Sequence, residues 1–339
     1  MEYRLLGRSG VKVSELCLGT LTFGWKVDEA HAHEILDAFT GNGGNFLDTA
    51  NVYNGGKSEE IVGSWLKGRE REEVVVATKV RFRTAEHQNA VGLSRKHIIS
   101  SVNESLERLQ TDYIDLLQVH AWDPLTPVEE TLRTLNDLVR SGKVRYIGAS
   151  NFRAWQLASF IEYSRHHDLE EFISLQPQYN LLTRATEYEL VPYCRRERIG
   201  ILPWSPLKAG ILSGRYTREM GEPPEGSRLR RRFERGMRWP WNDEGEYVWR
   251  VVDLLKSMSG SIGKTPSQIA LNWLLRNPAV TAPIIGVSSG EQLSEDLGST
   301  GWKLSDQQMR ELDDASTIFV TYPYDRDTDN QQVRGRESN

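Results

Sequence analysis

Short apolar runs with little polar alternation recur along the whole chain: LCLG at 16–19, NFLD at 45–48, VVVATK at 74–79 and YIDLLQVH at 113–120. Four more follow, VRYIGAS at 144–150, FISLQP at 172–177, GILPWS at 200–205 and APIIG at 282–286. A strand reads this way when neither face meets water, so the eight runs predict a parallel sheet covered by helices. Between the third and fourth runs, Ile99, Val102, Leu106 and Leu109 recur at helical spacing and predict an amphipathic helix. TPVE at 126–129 and TPSQ at 265–268 each read as a Thr cap, a Pro at the first helical position and a Glu or Gln at the third.

Eight βα units in one chain predict an α/β fold of the (β/α)8 TIM-barrel type rather than an open doubly wound sheet. One domain is expected across residues 1–339, with the barrel over about 14–300. One connection is far longer than the rest: roughly sixty residues separate the seventh strand from Thr265. An extra helix and a tail are expected over 305–339.

Composition narrows the class. The 339 residues carry a net charge of −5 with both signs interspersed, so no general nucleic-acid or membrane footprint is present. The basic cluster RLRRRFERGMR at 228–238 is the exception, and reads as a solvated loop with one arginine directed at a phosphate. Cys17 and Cys194 lie far apart, without disulfide or zinc spacing. Charges interrupt the N-terminal MEYRLLGRSG where a signal peptide would be apolar, and no run of about 18 apolar residues occurs. A cytoplasmic protein is expected, with a small-molecule substrate and neither nucleic acid nor membrane as partner.

Barrels of this type carry their chemistry at the C-terminal ends of the strands. Those ends hold Asp48, Lys79, His120, Ser150 with Asn151, Gln176 and Trp204, and Tyr53 follows Asp48 by five residues. Each alone reads more readily as a turn residue, a solvated strand end or a core group; their joint occurrence points to proton transfer. A free phenol has a pKa near 10, and a neighbouring ammonium lowers it by favouring the phenolate. Lys79 suits that part, Asp48 would pair with Lys79, and His120 would hydrogen-bond a substrate oxygen. No GxGxxG follows a strand, which leaves a Rossmann reading without support. No His/Asp cluster at strand ends suggests a metal.

LGTLTFG, NFLDTANVY, ATKV, LLQVH, GKVRYIGASNF, QPQYN, PWSPLKAGILSGRY and IIGVSSGEQLSED together resemble the aldo-keto reductase superfamily, over at least residues 3–300. The resemblance implies that Tyr53 is the general acid/base of an NADP(H)-dependent oxidoreductase, with Asp48, Lys79 and His120 completing a tetrad. The substrate would be a carbonyl compound or its alcohol. Gly19, Thr20 and Asp48 would border the cofactor, Ser150, Asn151 and Gln176 would hold its carboxamide, and Trp204 would stack on its nicotinamide.

By the same resemblance Ser205, Leu207, Gly210, Leu212 and Gly214 surround the pyrophosphate, with Arg215 and Arg228 on a covering loop. The adenosine end would meet Ser288, Gln292, Glu295 and Asp296. Two departures stand out: Ser288 lacks the cation that many relatives direct at the 2′-phosphate, and Asp296 replaces an Asn. NADP(H) is preferred over NAD(H), because Arg215 and Arg228 offer bidentate phosphate ligands. Trp25 and Trp122 are candidate walls of the substrate pocket, and Phe319, Tyr322 and Tyr324 are placed by topology near the mouth. A regulatory NADP(H)-sensing or scaffold protein with little turnover is the rival reading.

Overall fold

The computed structural model describes residues 1–326 apart from 235, 237–239 and 242–244. The eight expected strands all form, each within its apolar run except that β5 extends one residue past its run: β3 (Cys17–Gly19), β4 (Phe46–Asp48), β5 (Val75–Val80), β6 (Ile114–Val119), β7 (Val144–Ser150), β8 (Ser174–Gln176), β9 (Gly200–Ile201) and β10 (Ile284–Ile285). They pair in parallel in the order β10-β3-β4-β5-β6-β7-β8-β9. Backbone bonds from Thr281 N to Ile201 O (2.8 Å) and from Ile284 N to Pro203 O (2.9 Å) bring the two ends of the sheet together and close the barrel.

A small antiparallel hairpin that the apolar pattern did not announce, β1 (Tyr3–Leu5) with β2 (Lys12–Ser14), lies outside this sheet. Three-residue strands are too short to show alternation, which hid it from sequence. The buried side chains Leu6 and Val13 join Cys17, Phe46, Ala77, Leu116 and Leu202 in one apolar cluster. Arg4 secures the hairpin by donating to the carbonyls of Val280 and Leu275.

Helices α1 (Glu29–Gly41), α2 (Lys57–Leu66), α3 (Arg95–Leu109), α4 (Val128–Arg140), α5 (Ala154–His166) and α6 (Leu190–Glu197) alternate with the strands. The long connection folds into α7 (Arg228–Glu234) and α8 (Glu246–Ile262), and α9 (Pro266–Arg276), α10 (Gly290–Leu297) and α11 (Asp306–Ala315) complete the set. The expected cap at Thr265 forms: its hydroxyl accepts from Gln268 N, and the Gln268 side chain accepts from Thr265 N.

Three local expectations are corrected. Helix α4 begins at Val128 behind Pro127 instead of being capped by Thr126, because the Thr126 hydroxyl donates to Asp123 Oδ2 at 2.6 Å. In α3 the inward position is the fully buried Ile98, while Ile99 is 38% exposed; the one-residue phase shift keeps Val102 and Leu109 in the core. Part of the basic cluster is a helix rather than a loop, since Ser227 Oγ accepts from Arg230 N and Arg230 pairs with Glu234 one turn on. The side chains of Arg228, Arg231 and Arg232, and residues 235, 237 and 238, lie outside the described part of that cluster.

Helices α2 and α3 cross at Gly63, where a Cβ would meet the Arg108 carbonyl at 2.1 Å and Leu109 Cα at 2.8 Å. Gly63→Ala must separate the helices, and is expected to cost about 1–3 kcal/mol by overpacking. A urea titration measures the loss as a lowered midpoint with unchanged slope.

Candidate active site

Strand register assembles the mouth. Gly19 lies beside Asp48, Lys79 beside Gln118 and Ser150 beside Gln176 on neighbouring strands. Lys79 is fully buried, and its ammonium meets three acceptors: Asp48 Oδ2 at 2.6 Å, the Thr49 carbonyl at 2.6 Å and the Tyr53 hydroxyl at 3.2 Å. An ammonium has three N–H donors, so the number of partners matches the need. Burial acts to lower the Lys79 pKa, but the charge of Asp48, Tyr53 and the hydrogen bonds to both outweigh it, and the net shift is upward.

Asp48 is held in turn. Its Oδ1 accepts from Gln176 Nε2 at 2.7 Å and Gln118 Nε2 at 3.2 Å, and the two amides are joined by a Gln176 Nε2 to Gln118 Oε1 bond of 3.3 Å. Gln118 was missed from sequence because it lies one layer below the strand end. A glutamine inside the apolar run LLQVH was the available signal, since a fully buried amide demands partners.

Tyr53 opens a short turn (Tyr53–Gly56) leading into α2. The turn is fixed by Asn54, in the left-handed region at φ 52°, whose amide donates to the carbonyls of Leu21 (2.9 Å) and Phe23 (2.6 Å). His120 stands edge-on to Tyr53, with ring centroids 6.0 Å apart, and to Phe82 at 4.5 Å. Its Nδ1 is buried without a hydrogen-bond partner among the described residues. Burial, assisted by the cations of Lys79 and Arg81, pulls the imidazole pKa down to about 2, so the ring is neutral at physiological pH.

A cavity of about 410 Å³ opens over this group. Of the residues singled out in the sequence, Gly19, Asp48, Tyr53, His120, Asn151, Gln176, Trp204, Ser205, Leu207, Gly210, Arg215, Ser288, Gln292, Glu295 and Asp296 border it. Asn151 links its wall: the side-chain amide donates to the His120 carbonyl at 3.0 Å, and Oδ1 accepts from Trp204 Nε1 at 2.9 Å. Lys208, Ala209 and Gly210 are successive left-handed residues, a conformation that costs non-glycine residues energy and bends the backbone sharply at the cavity. Arg215 donates to Ser213 Oγ at 2.8 Å and lies against Gly210, where a Cβ would stand 3.4 Å from Arg215 Nε.

Other sequence candidates lie elsewhere. Lys79 sits beneath the wall; Thr20 is buried, with its hydroxyl donating to the Asp48 carbonyl; Ser150 is buried, with its hydroxyl on the Gln176 carbonyl; Leu212 is in the core. Gly214 is not on the wall either. Trp122 is turned away into an edge-to-face cluster with Phe152, Trp155 and Phe160, and Trp25, with its ring 4.9 Å from Lys26 Nζ, does not border the cavity. In the helix after GASNF, Arg153 occupies the cap position, its N–H donating to Gln156 Oε1. Tyr324 stacks on Tyr188 at 4.9 Å and Phe319 O accepts from the Tyr188 hydroxyl, so the tail docks on the segment after β8, while Phe319 and Tyr322 are exposed. Lys26, also missed from sequence, lines the cavity and donates to the Gly226 carbonyl, joining the loop after β3 to the long connection.

Among the described residues no group of three or more His, Cys, Asp or Glu side chains is placed to hold a metal, and no helix is long and apolar enough to cross a membrane. Comparison with known proteins gives this barrel a family: the chain belongs to the Aldo/keto reductase family, whose profile matches residues 15–317, and the family with its reductase relatives supports oxidoreductase activity. It is 37% identical to the uncharacterized oxidoreductase YrpG of Bacillus subtilis, over 93% of this chain and 95% of that one. It is 34% identical to the versiconal hemiacetal acetate reductase of Aspergillus parasiticus, over 96% of this chain and the whole of the relative. A putative voltage-gated potassium channel subunit beta of Schizosaccharomyces pombe is 38% identical over 93% of both chains.

A neutral His120 has a direct signature. Its ring resonances are expected to stay constant between pH 4 and 9, whereas an exposed histidine titrates near 6.5. NMR of protein labelled at histidine Cε1 checks this, and a midpoint near 6.5 assigned to His120 would contradict the burial argument.

Proposed function

We propose that this protein is an NADP(H)-dependent oxidoreductase that interconverts an aldehyde or ketone with an alcohol, with Tyr53 as general acid and base. The observation that carries the proposal is the buried Lys79 ammonium, bonded at once to Asp48 and to a phenol on the cavity wall.

The residues present suit a dinucleotide. Trp204 offers an aromatic face to a nicotinamide, and the side-chain oxygens of Asn151 and Gln176, whose NH2 groups are engaged within the protein, would accept from its carboxamide. Ala209 and Gly210, small residues on the cavity wall, would let a pyrophosphate approach the backbone, and Arg215 would offer it a guanidinium. A bound nicotinamide supplies hydride to the carbonyl carbon of a substrate.

The chain's own groups manage the proton. In reduction the Tyr53 phenol protonates the carbonyl oxygen as negative charge develops there, and the Lys79 charge stabilises the phenolate left behind. In oxidation the same phenolate removes the alcohol proton. Asp48, clamped by Gln118 and Gln176, keeps Lys79 in place. The neutral His120 positions the substrate oxygen without adding a second cation beside Lys79.

NADP(H) is preferred over NAD(H). Ser288 brings no charge, and its hydroxyl and N–H both engage Gln292 Oε1, so a 2′-phosphate would rely on Arg215 at the cavity and on Arg228, whose side chain lies outside the described residues and which is proposed from the sequence resemblance alone. A second reading is favoured by one comparison: the likeness to the putative channel beta subunit admits a nucleotide-sensing partner protein with slow turnover.

Tyr53→Phe keeps the ring and removes the proton. It is expected to lower kcat by roughly 10²–10⁴-fold while leaving the Kd for NADPH within about twofold. Stopped-flow turnover with an aldehyde and a fluorescence titration with NADPH measure the two quantities. Undiminished turnover overturns the assignment of Tyr53, and tight NADPH binding without turnover of any carbonyl compound favours the sensing reading.

A further inference from the structure

Asp296 is 6% exposed and borders the cavity, yet its carboxyl group has no hydrogen-bond donor among the described residues. It lies in the last turn of α10, where the backbone carbonyls of 294–296 already point toward Gly298 and Ser299, and a helix C-terminus disfavours a negative charge. Glu295 is the adjacent residue. Three features therefore oppose a carboxylate at this place: burial, the helix end and a like charge.

The charged groups around α10 leave little to offset them. On α10 itself these are Glu291 and Glu295. The packed helix α9 has one charged residue, Arg276, which is paired with Asp306 at 2.7 Å. On α1, His31 is held by Asp28 with Glu34 acting on it, His33 meets Ser64 and Ile61 O, Glu29 accepts from Ser64, and Asp37 accepts from Trp65 and Arg69. From the loop after β9, Lys208 donates to Thr183, and Arg215 is the cation that acts on Asp296.

Resting on the nucleotide-binding reading above, we propose that Asp296 holds the adenine edge as a neutral carboxylic acid, so that binding the nucleotide takes up a proton at alkaline pH. A protonated carboxyl offers one donor and one acceptor side by side. That pair complements a ring nitrogen next to an exocyclic amine, as an asparagine amide would, whereas a carboxylate accepts at both positions and repels the ring nitrogen. The site thus takes a purine with an amidine-like edge. Burial first, then Glu295, push the Asp296 pKa up to about 7, with Arg215 acting in the opposite sense. The proton is therefore retained in mildly acidic solution and must be recovered from solvent as the pH rises above 7.

The experiment is a titration of the full chain with NADPH and with NADH between pH 6 and 9. If only the protonated acid binds, Kd for both nucleotides rises about tenfold per pH unit above 7. Asp296→Asn carries the same donor and acceptor permanently, and its Kd is expected to stay flat from pH 7 to 9. Neither Lys79, shifted upward, nor His120, shifted far down, changes charge in this window. Ionisation of a 2′-phosphate near pH 6 weakens binding on the acid side and affects NADPH alone.

Calorimetry of the wild type in buffers of different ionisation enthalpy counts the proton directly, and serves if the Asn variant does not fold. Close to one proton taken up per NADH at pH 8.5 supports the proposal. A Kd independent of pH with no proton uptake overturns it while leaving the nucleotide reading intact, as does an equal pH slope in Asp296→Asn. A protein that binds neither nucleotide at any pH overturns both.

Discussion

A fully buried ammonium is the constraint around which the mouth of this barrel is organised. Taking Lys79 out of water costs several kcal/mol, and the interior has to return that through acceptors. Asp48, the Thr49 carbonyl and the Tyr53 hydroxyl supply them. Two of the three come from one short stretch, 48–49, and the third lies four residues further on, so the path of the chain after β4 is dictated by one nitrogen atom. The charge of Asp48 must then be compensated on its other oxygen, which draws the amides of Gln118 and Gln176 from β6 and β8. A single cation thereby ties together four strands of the barrel.

This network also explains the electrical state of the pocket. With Lys79 charged, a second cation nearby is costly, and His120 stays neutral because it is buried and feels the charges of Lys79 and Arg81. The result is a fixed positive charge in contact with a phenol and a neutral ring edge-on to it, an arrangement that stabilises negative charge on the phenol oxygen.

How far the sequence disclosed this depended on the length scale of each feature. The eight strands were legible because burial on both faces leaves continuous apolar runs, and Asp48, Lys79 and His120 were legible because a titratable residue ending such a run is conspicuous. The β1–β2 hairpin was hidden by strands of three residues, and Gln118 by its place inside a run instead of at its end. Phase errors came from near-degenerate patterns: Ile98 and Ile99 are chemically equivalent, and only the packing of α3 chooses between them. Thr126 had two uses for its hydroxyl, and Asp123, three residues earlier, won the competition with the cap. Trp122 shows the limit of topology, since a residue just past a strand end can turn toward the cavity or toward the helices, and here three aromatic rings from α5 and the segment before it decide.

Opposite parts of the same cavity meet the problem of a buried charge by different routes. At Lys79 every donor has an acceptor and an anion lies in contact, so keeping the charge is the lower-energy choice and the pKa moves to favour it. At Asp296 no described residue donates to the carboxyl group, the helix end and Glu295 add to the penalty of burial, and the pKa moves to favour the neutral acid. The decisive quantity is the number of complementary partners that the backbone path can deliver within hydrogen-bonding distance, and it is larger where strand ends converge than where a single short helix meets a loop. Groups at the converging end are therefore fixed in charge by the fold, while a group at the helix end is left to be completed by whatever enters the cavity.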